Sequence, residues 1–172
     1  MNSQAIQILY DEHAVILEAI DQVRILLEAE DLSAHSETLQ WFITFFSQYG
    51  DTFHHHKEED LLFSILARKN EMLAGGIVQA LCEHHEMFRE NLRDLRKAVS
   101  GENWKTVTNI FTQYLSDLTD HISAEDDELF ITAEELLDDD EKESLYFSFL
   151  DKDRELDENM KRKYEERILG EI

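Results

Sequence analysis

Two copies of one short motif constrain the fold of this chain more than any other feature. The motif is H-x-x-x-E-[ED]-x-x-L-F, and it occurs in FHHHKEEDLLF (residues 53–63) and again in HISAEDDELF (residues 121–130). Its histidine and glutamate are four residues apart, which places their Cβ atoms about 5–6 Å apart on one face of an α-helix. We therefore expect each copy to lie on a helix and to direct His and Glu to the same side.

The composition favours helices along the whole chain. The 172 residues include no proline and only five glycines, and few other residues interrupt a helix. A chain of this length can also bury a large apolar core without disulfides. We predict a single all-α fold.

Apolar residues recur at spacings of three and four in four long segments. This pattern predicts amphipathic helices over about residues 4–28, 37–68, 77–99 and 104–137. Because the connections are short, the four helices are expected to form an antiparallel up-down four-helix bundle over residues 1–137. In residues 138–172, Asp138 followed by Glu141 resembles a capping box, which predicts one additional C-terminal helix that packs on the bundle or extends from it.

Each half of the predicted bundle adds one histidine to its His-Glu motif. His13 and His85 occupy apolar positions of the first and third helices, in LYDEH and LCEHH. A lone histidine in such a position is usually a core residue, but four histidines and two glutamates repeated around one axis favour a metal site. Imidazole binds iron, zinc and copper, and carboxylates bridge pairs of ions. The set predicts two transition-metal ions, with iron as the leading candidate.

These motifs resemble the hemerythrin-like family, also called the HHE cation-binding domain. The resemblance rests on EH in the first and third helices, HHHKEEDLLF in the second and HISAEDDELF in the fourth, and it covers roughly residues 1–137. It implies a four-helix bundle around a non-haem di-iron centre with an oxo or hydroxo bridge, in which the two glutamates bridge the ions. Carried over by position, the metal ligands are His13, His54, Glu58, His85, His121 and Glu125.

One position departs from the family pattern. Oxygen-carrying hemerythrins have a fifth histidine four residues after the ligand of the third helix, and this chain has Arg89 there. Arginine cannot ligate a metal because its donors stay protonated. One iron is therefore expected to lose a protein ligand or to recruit another, and simple oxygen storage becomes less favoured than sensing or redox chemistry. The candidate replacements are His84, Glu83, Tyr10 and Cys82.

Two further sets of polar residues adjoin the predicted ligands. His55, His56 and His84 are predicted to point roughly 100° or more away from the ligands, toward solvent or an outer contact. Three carboxylates either accept the outer N–H group of a ligand imidazole or lie on the solvated surface, and the sequence leaves both alternatives open. These carboxylates are Glu12, Glu59 and Asp126.

Charge and cysteine content narrow the partners and the compartment. A net charge of −23 argues against nucleic acid and against anionic membrane surfaces as partners. The single cysteine suits a reducing compartment, and the N-terminus lacks the basic start and apolar core of a signal peptide, so we expect a cytoplasmic protein. Neither the Glu-x-x-His motif of ferritin-like bundles nor the His-Glu-x-x-His zinc protease motif occurs.

The favoured function is therefore that of a di-iron protein that binds or senses oxygen, nitric oxide or peroxide. An alternative is an enzyme that decomposes peroxide or oxidises ferrous iron at the same centre, although no catalytic residue is assigned. A third possibility is a structural bundle whose metal is incidental, and whose acidic surface and extra helix serve a homodimer or a protein partner. These alternatives stay open at the level of the sequence.

Overall fold

Long amphipathic helices make up nearly all of the protein. The computed structural model describes residues 2–170, and among these residues there is no β-strand. The first helix, α1, is Gln4–Leu26, and the third, α3, is Ile77–Ser100. A short 3-10 turn at Leu32–His35 and one helical turn at Glu71–Gly75 lie in the connections. The predicted all-α class is confirmed.

The second and fourth helices are composite, because π-helical stretches interrupt them. Helix α2 consists of Ser36–Phe45, the π-helical stretches Phe46–His55 and Glu58–Phe63, and the terminal α-helical Ser64–Lys69. Helix α4 consists of Trp104–Ala124, the π-helical stretch Glu125–Leu129 and Phe130–Leu136. In both helices the π-helical turns coincide with the His-Glu motifs. Such turns occur frequently at functional sites.

Neighbouring helices of the bundle run antiparallel. Contacts between α2 and α3, and between α3 and α4, pair rising residue numbers on one helix with falling numbers on the other. The same order holds for α1 and α4, where the paired residues are Ser3 with Glu134, His13 with Asp126 and Arg24 with Thr119. The observed bundle therefore has the predicted up-down arrangement.

The apolar interior is divided into two cores, and the His-Glu motifs lie at their junction. On α1, Leu9 belongs to one core and Ile16 to the other, and His13 lies between them. The other three helices carry corresponding flanking residues, which are Tyr49 and Leu62, Leu81 and Phe88, and Leu118 and Leu129. A layer of polar side chains thus crosses the bundle with apolar packing above and below it.

The C-terminal segment forms two helices rather than the single one predicted from the sequence. Helix α5, Asp139–Glu155, begins with the expected capping box, in which the Asp138 side chain accepts from Glu141 N. Asp157 has φ +84°, outside the helical region, and its side chain accepts from Met160 N at the start of helix α6, Glu158–Leu169. Aspartate tolerates this conformation better than most residues. The C-terminal helix is interrupted there, and both α5 and α6 pack on α1.

No helix within residues 2–170 combines the length and the apolar character needed to cross a membrane.

Because α5 packs on the bundle, we expect alanine substitutions at two nearby phenylalanines to differ greatly in their effect on the free energy of unfolding. Phe149 is fully buried in a core, whereas Phe147 is 54% exposed. We expect Phe149→Ala to lower the free energy of unfolding by about 3–5 kcal/mol through lost burial and a residual cavity. Phe147→Ala, the matched control, should change it by less than about 0.5 kcal/mol. Urea titration of both variants measures the difference, and equal losses would contradict the observed packing of α5.

Candidate metal centre

Two groups of four buried side chains meet at the junction between the cores. Within each group, every residue offers one ligand atom, and these atoms all lie within 4.8 Å of one another. The first metal group consists of His13, His54, Glu58 and Glu125, and the second metal group consists of His55, Glu58, His85 and His121. Since Glu58 belongs to both, the two groups are adjacent and share a carboxylate. Either group could hold a metal ion.

All six residues predicted as ligands lie in these two groups, and each is at most 1% exposed. Helices α1 and α3 each contribute one of the predicted histidines, while α2 and α4 each contribute a His-Glu pair. The fold therefore brings together side chains that are far apart in the sequence, in the two-fold arrangement that the repeated motif predicts.

The two glutamates extend from one histidine pair to the other. Glu125 Oε2 is 3.2 Å from His13 Nε2, and Glu125 Oε1 is 3.2 Å from His121 Nε2. Glu58 Oε1 is 3.5 Å from His54 Nε2, and Glu58 Oε2 is 3.6 Å from His85 Nε2. Each carboxylate thus presents one oxygen to either side, which is the arrangement required to bridge two ions.

Several of the facing atoms have no hydrogen-bond partner among residues 2–170. They are His13 Nε2, His54 Nε2 and both carboxylate oxygens of Glu58 and Glu125. Burying an ionised carboxylate without a cation or hydrogen bonds costs several kcal/mol. Unpartnered nitrogen and oxygen donors converging at two adjacent points are what a pair of transition-metal ions requires. The donor set therefore fits the predicted metals.

Three of the four histidines predicted as ligands contact a carboxylate through their outer ring nitrogen. The Nδ1 contacts are His13 with Asp126 at 2.6 Å, His54 with Glu12 at 2.8 Å and His85 with Glu59 at 2.6 Å. Such contacts orient a ligand imidazole and leave Nε2 free to face a metal. They confirm the first of the two alternatives for these carboxylates, which contact imidazoles and are not simply solvated.

His55 is the residue whose position the sequence interpretation got wrong. It was expected to point away from the site, but it is only 4% exposed, and its ring stacks on His85 with centroids 3.8 Å apart. Its Nδ1 is 3.4 Å from Asp51 Oδ1, so it too has a carboxylate at its outer nitrogen. A π-helical turn holds more residues than an α-helical turn, so successive side chains are separated by less than 100°. His54 and His55 both face inward for that reason.

His56 and His84, the other two histidines expected to point away from the ligands, lie outside both metal groups. His56 is only partly buried, and His84 is exposed, although its Nδ1 is 3.3 Å from His121 Nδ1. Two of the remaining candidates for a replacement ligand, Glu83 and Cys82, also lie outside the groups found among residues 2–170. The Tyr10 hydroxyl donates to the Asp126 carbonyl instead. The only sequence signal for His55 is its i, i+4 spacing from Asp51.

Arg89, at the position of the missing fifth histidine, contacts three carboxylates. Its Nε donates to Asp51 at 2.9 Å, its Nη2 to Glu59 at 2.9 Å and its Nη1 to Glu86 at 2.6 Å. Asp51 and Glu59 are the carboxylates beside His55 and His85. One guanidinium therefore links the outer partners of two histidines in the second metal group.

The pKa values of the two buried glutamates are shifted in opposite directions. Burial and the neighbouring Glu125 both raise the pKa of Glu58 well above its ordinary value. For Glu125, burial acts in the same direction, but His121 and His13 outweigh it and hold the pKa well below the ordinary range. Burial lowers the pKa of His13, yet its contacts with Asp126 and Glu125 outweigh burial and raise it to about 9. In the metal-free protein, the first metal group thus carries a proton on His13 at neutral pH.

The sequence also matches the family model of the hemerythrin HHE cation binding domain over residues 4–133. The chain belongs to this family. The match covers the four bundle helices up to the last turn of α4 and excludes α5 and α6. No match to a curated protein or to a solved structure was found. Membership in the family agrees with cation binding at the two metal groups.

The protonated state of His13 predicts a pH dependence. A metal ion displaces this proton, so uptake at pH 7 should release at least one proton per chain, and affinity should rise with pH up to about 9. The metal-free protein should also lose stability as the pH rises from about 6.5 through about 9, because the stabilising charge on His13 is lost.

Titration calorimetry in two buffers of different ionisation enthalpy counts the released protons. The variant His13→Gln keeps a similar size and cannot carry the proton, so without metal it should lose the part of the pH slope of stability that comes from His13, as measured by urea titration over the same pH range. Uptake without proton release by the unaltered protein would contradict the assignment.

Proposed function

We propose that this protein is a non-haem di-iron protein that binds or senses a small oxidant or diatomic ligand, of the class of oxygen, nitric oxide or peroxide. The observation that carries the proposal is the pair of adjacent metal groups that share Glu58, with Glu125 extending between them. Two mononuclear structural sites would not need shared carboxylates. A shared carboxylate is what holds two ions close enough to react with one small molecule.

Mixed imidazole and carboxylate donors support iron. Purely thiolate sites favour zinc, copper(I) or iron–sulfur clusters, and purely oxygen sites favour magnesium or calcium. The groups here combine five imidazoles with two carboxylates and contain no cysteine. When bound, a pair of iron ions with an oxo or hydroxo bridge would supply reversible electron transfer and a position for the incoming ligand.

The two groups have unequal numbers of histidines. The first metal group contains His13 and His54, whereas the second contains His55, His85 and His121. We assign His55 the part that the fifth histidine of the third helix has in oxygen-carrying relatives, because Arg89 faces outward to carboxylates instead. Because Glu125 Oε1 also faces His121 of the second group, the second metal would have five protein donors and the first metal four. The first metal is where an external ligand is expected to add.

The surroundings restrict what can reach the centre. The group residues are at most 4% exposed, and Phe130 stacks on His13 with ring centroids 5.3 Å apart. On the other side, Phe63 stacks on His85 at 5.8 Å. Aromatic and aliphatic walls keep out bulk water and large substrates. A diatomic molecule or peroxide is small enough to pass with minor side-chain motion.

The cellular setting is part of the same proposal. A cytoplasmic location agrees with a single, partly buried free cysteine. The net charge of −23 disfavours nucleic acid and anionic membranes as partners, while the exposed acidic surface leaves a homodimer or a protein partner open.

Iron content tests the assignment of the two groups. Protein produced with ample iron should contain about two iron ions per chain, measured by atomic emission against protein concentration. His54→Ala should lower this content by loss of a first-group donor. His55→Ala should reduce it by weakening the second group, whereas His56→Ala, which changes the adjacent and partly exposed histidine, should leave it unchanged. Unaltered protein that lacks metal while its site is intact would refute the proposal.

Turnover separates a sensor or carrier from an enzyme. A sensor is expected to consume peroxide or oxygen in amounts comparable to the protein concentration, followed spectrophotometrically at the iron absorption bands. Continued consumption at a large molar excess over protein would favour the peroxide-decomposing or ferrous-oxidising enzyme instead. Unchanged melting after complete removal of metal by a chelator would favour the purely structural alternative.

A further inference from the structure

Four buried charged side chains form a closed ring beside the first metal group. Glu12 is 2% exposed, Lys57 0% and Asp153 7%, and the fourth member, Lys161, is also largely buried. Lys57 Nζ is 2.5 Å from Glu12 Oε1 and 2.7 Å from Asp153 Oδ1. Lys161 Nζ is 2.6 Å from Glu12 Oε1 and 2.7 Å from Asp153 Oδ2. Each ammonium therefore contacts both carboxylates, and the formal charges of the ring cancel.

The ring joins the C-terminal helices to the metal centre. Two members, Glu12 and Lys57, belong to α1 and α2 of the bundle, whereas Asp153 lies on α5 and Lys161 on α6. Glu12 uses Oε1 for both lysines and Oε2 for His54 Nδ1, at 2.8 Å. Only one carboxylate thus separates the lysine of the last helix from a histidine of the first metal group.

Removing one member of the buried ring costs more free energy of unfolding than removing one member of an exposed ion pair. Removing one partner of a buried charge pair leaves an uncompensated charge in a medium of low dielectric constant. Glu12 Oε1 lies within hydrogen-bond distance of both lysine ammonium groups, and its other oxygen faces His54 Nδ1. The charge of Glu12 that His54 meets is therefore set by the two lysines of the ring.

We infer that helices α5 and α6, which lie beyond the part of the chain that matches the family model, tune the metal centre through Lys161 and Asp153, which act on His54 by way of Glu12. This inference rests on the proposed binding of iron by His54. Lys161 draws negative charge away from Glu12, which limits the electron density that Glu12 passes to the imidazole. Asp153 partly neutralises the positive charge of both lysines, so its effect on Glu12 is opposite to that of Lys161. Lys161 and Asp153 are positioning residues, because neither touches the reacting atoms.

The opposite signs of the two residues give a test that a merely structural role would fail. Lys161→Met removes a positive charge beside Glu12, makes the surroundings of His54 more negative and should stabilise the ferric state. The reduction potential of the iron-loaded protein should therefore shift to more negative values. Asp153→Asn removes a negative charge, and the potential should shift to more positive values. Potentiometric titration followed by the iron absorption bands measures both shifts.

Two control variants accompany this pair. Lys161→Arg keeps the charge and should restore the potential of the unaltered protein. Lys152→Met removes a positive charge from the same helix as Asp153, but Lys152 contacts the exposed Asp60 at 3.1 Å at the surface, where solvent screens it. The reduction potential of the Lys152→Met protein should therefore stay unchanged. Thermal unfolding and iron content of every variant identify any that fails to fold or to bind metal.

Failure of this inference can be told apart from failure of the proposed function. If the unaltered protein and its variants bind iron equally but Lys161→Met and Asp153→Asn leave the potential unmoved, or move it in the same direction, the inference is overturned and iron binding stands. If no protein binds iron, ¹⁵N NMR of the His54 ring decides the inference. Lys161→Met should shift the His54 Nδ1–H signal and leave that of His85, whose partner is Glu59; an unmoved His54 signal overturns the inference.

Discussion

Two carboxylates buried between apolar cores set the conditions for the rest of this structure. Glu58 and Glu125 are fully buried, and their oxygens have no hydrogen-bond partners among residues 2–170. A fold that buries such groups must supply cations or bear a cost of several kcal/mol for each. The histidines at both ends of each carboxylate, and the π-helical turns that direct them inward, serve that requirement. The centre and the fold therefore depend on each other.

Acidic and basic side chains alternate with increasing distance from the metal centre. Group histidines contact carboxylates, and three of these carboxylates contact cations in turn. Glu12 contacts Lys57 and Lys161, and Asp51 and Glu59 both contact Arg89. This order explains how a chain with a net charge of −23 places so many acids near its interior. Few basic residues are available, and several of them lie beside the carboxylates of the centre. The chain thus concentrates its scarce positive charge where burial makes it most effective.

The His-Glu motifs and the apolar stripes were sufficient to locate most of the centre. Spacing on a helix is a local property, so His13, His54, His85 and His121 could be assigned to inward faces without knowledge of the packing. His55 could not be assigned in this way, because its side chain points inward only as a result of a π-helical stretch, and no residue pattern in the sequence indicates that stretch. Arg89 likewise appeared only as a missing ligand, and its contacts with Asp51 and Glu59 on another helix could not be read from the sequence.

The sequence alone determined that the chain is helical, that four helices pair antiparallel, and that six named side chains share one layer. These features follow from propensity and periodicity, which act over a few residues. Only the tertiary structure decided that His55 joins the layer, that the C-terminal segment turns at Asp157, and that Lys161 reaches Glu12. Each of these depends on which helices meet and at what rotation. Such contacts join residues far apart in the chain, and their energies exist only once the helices have packed.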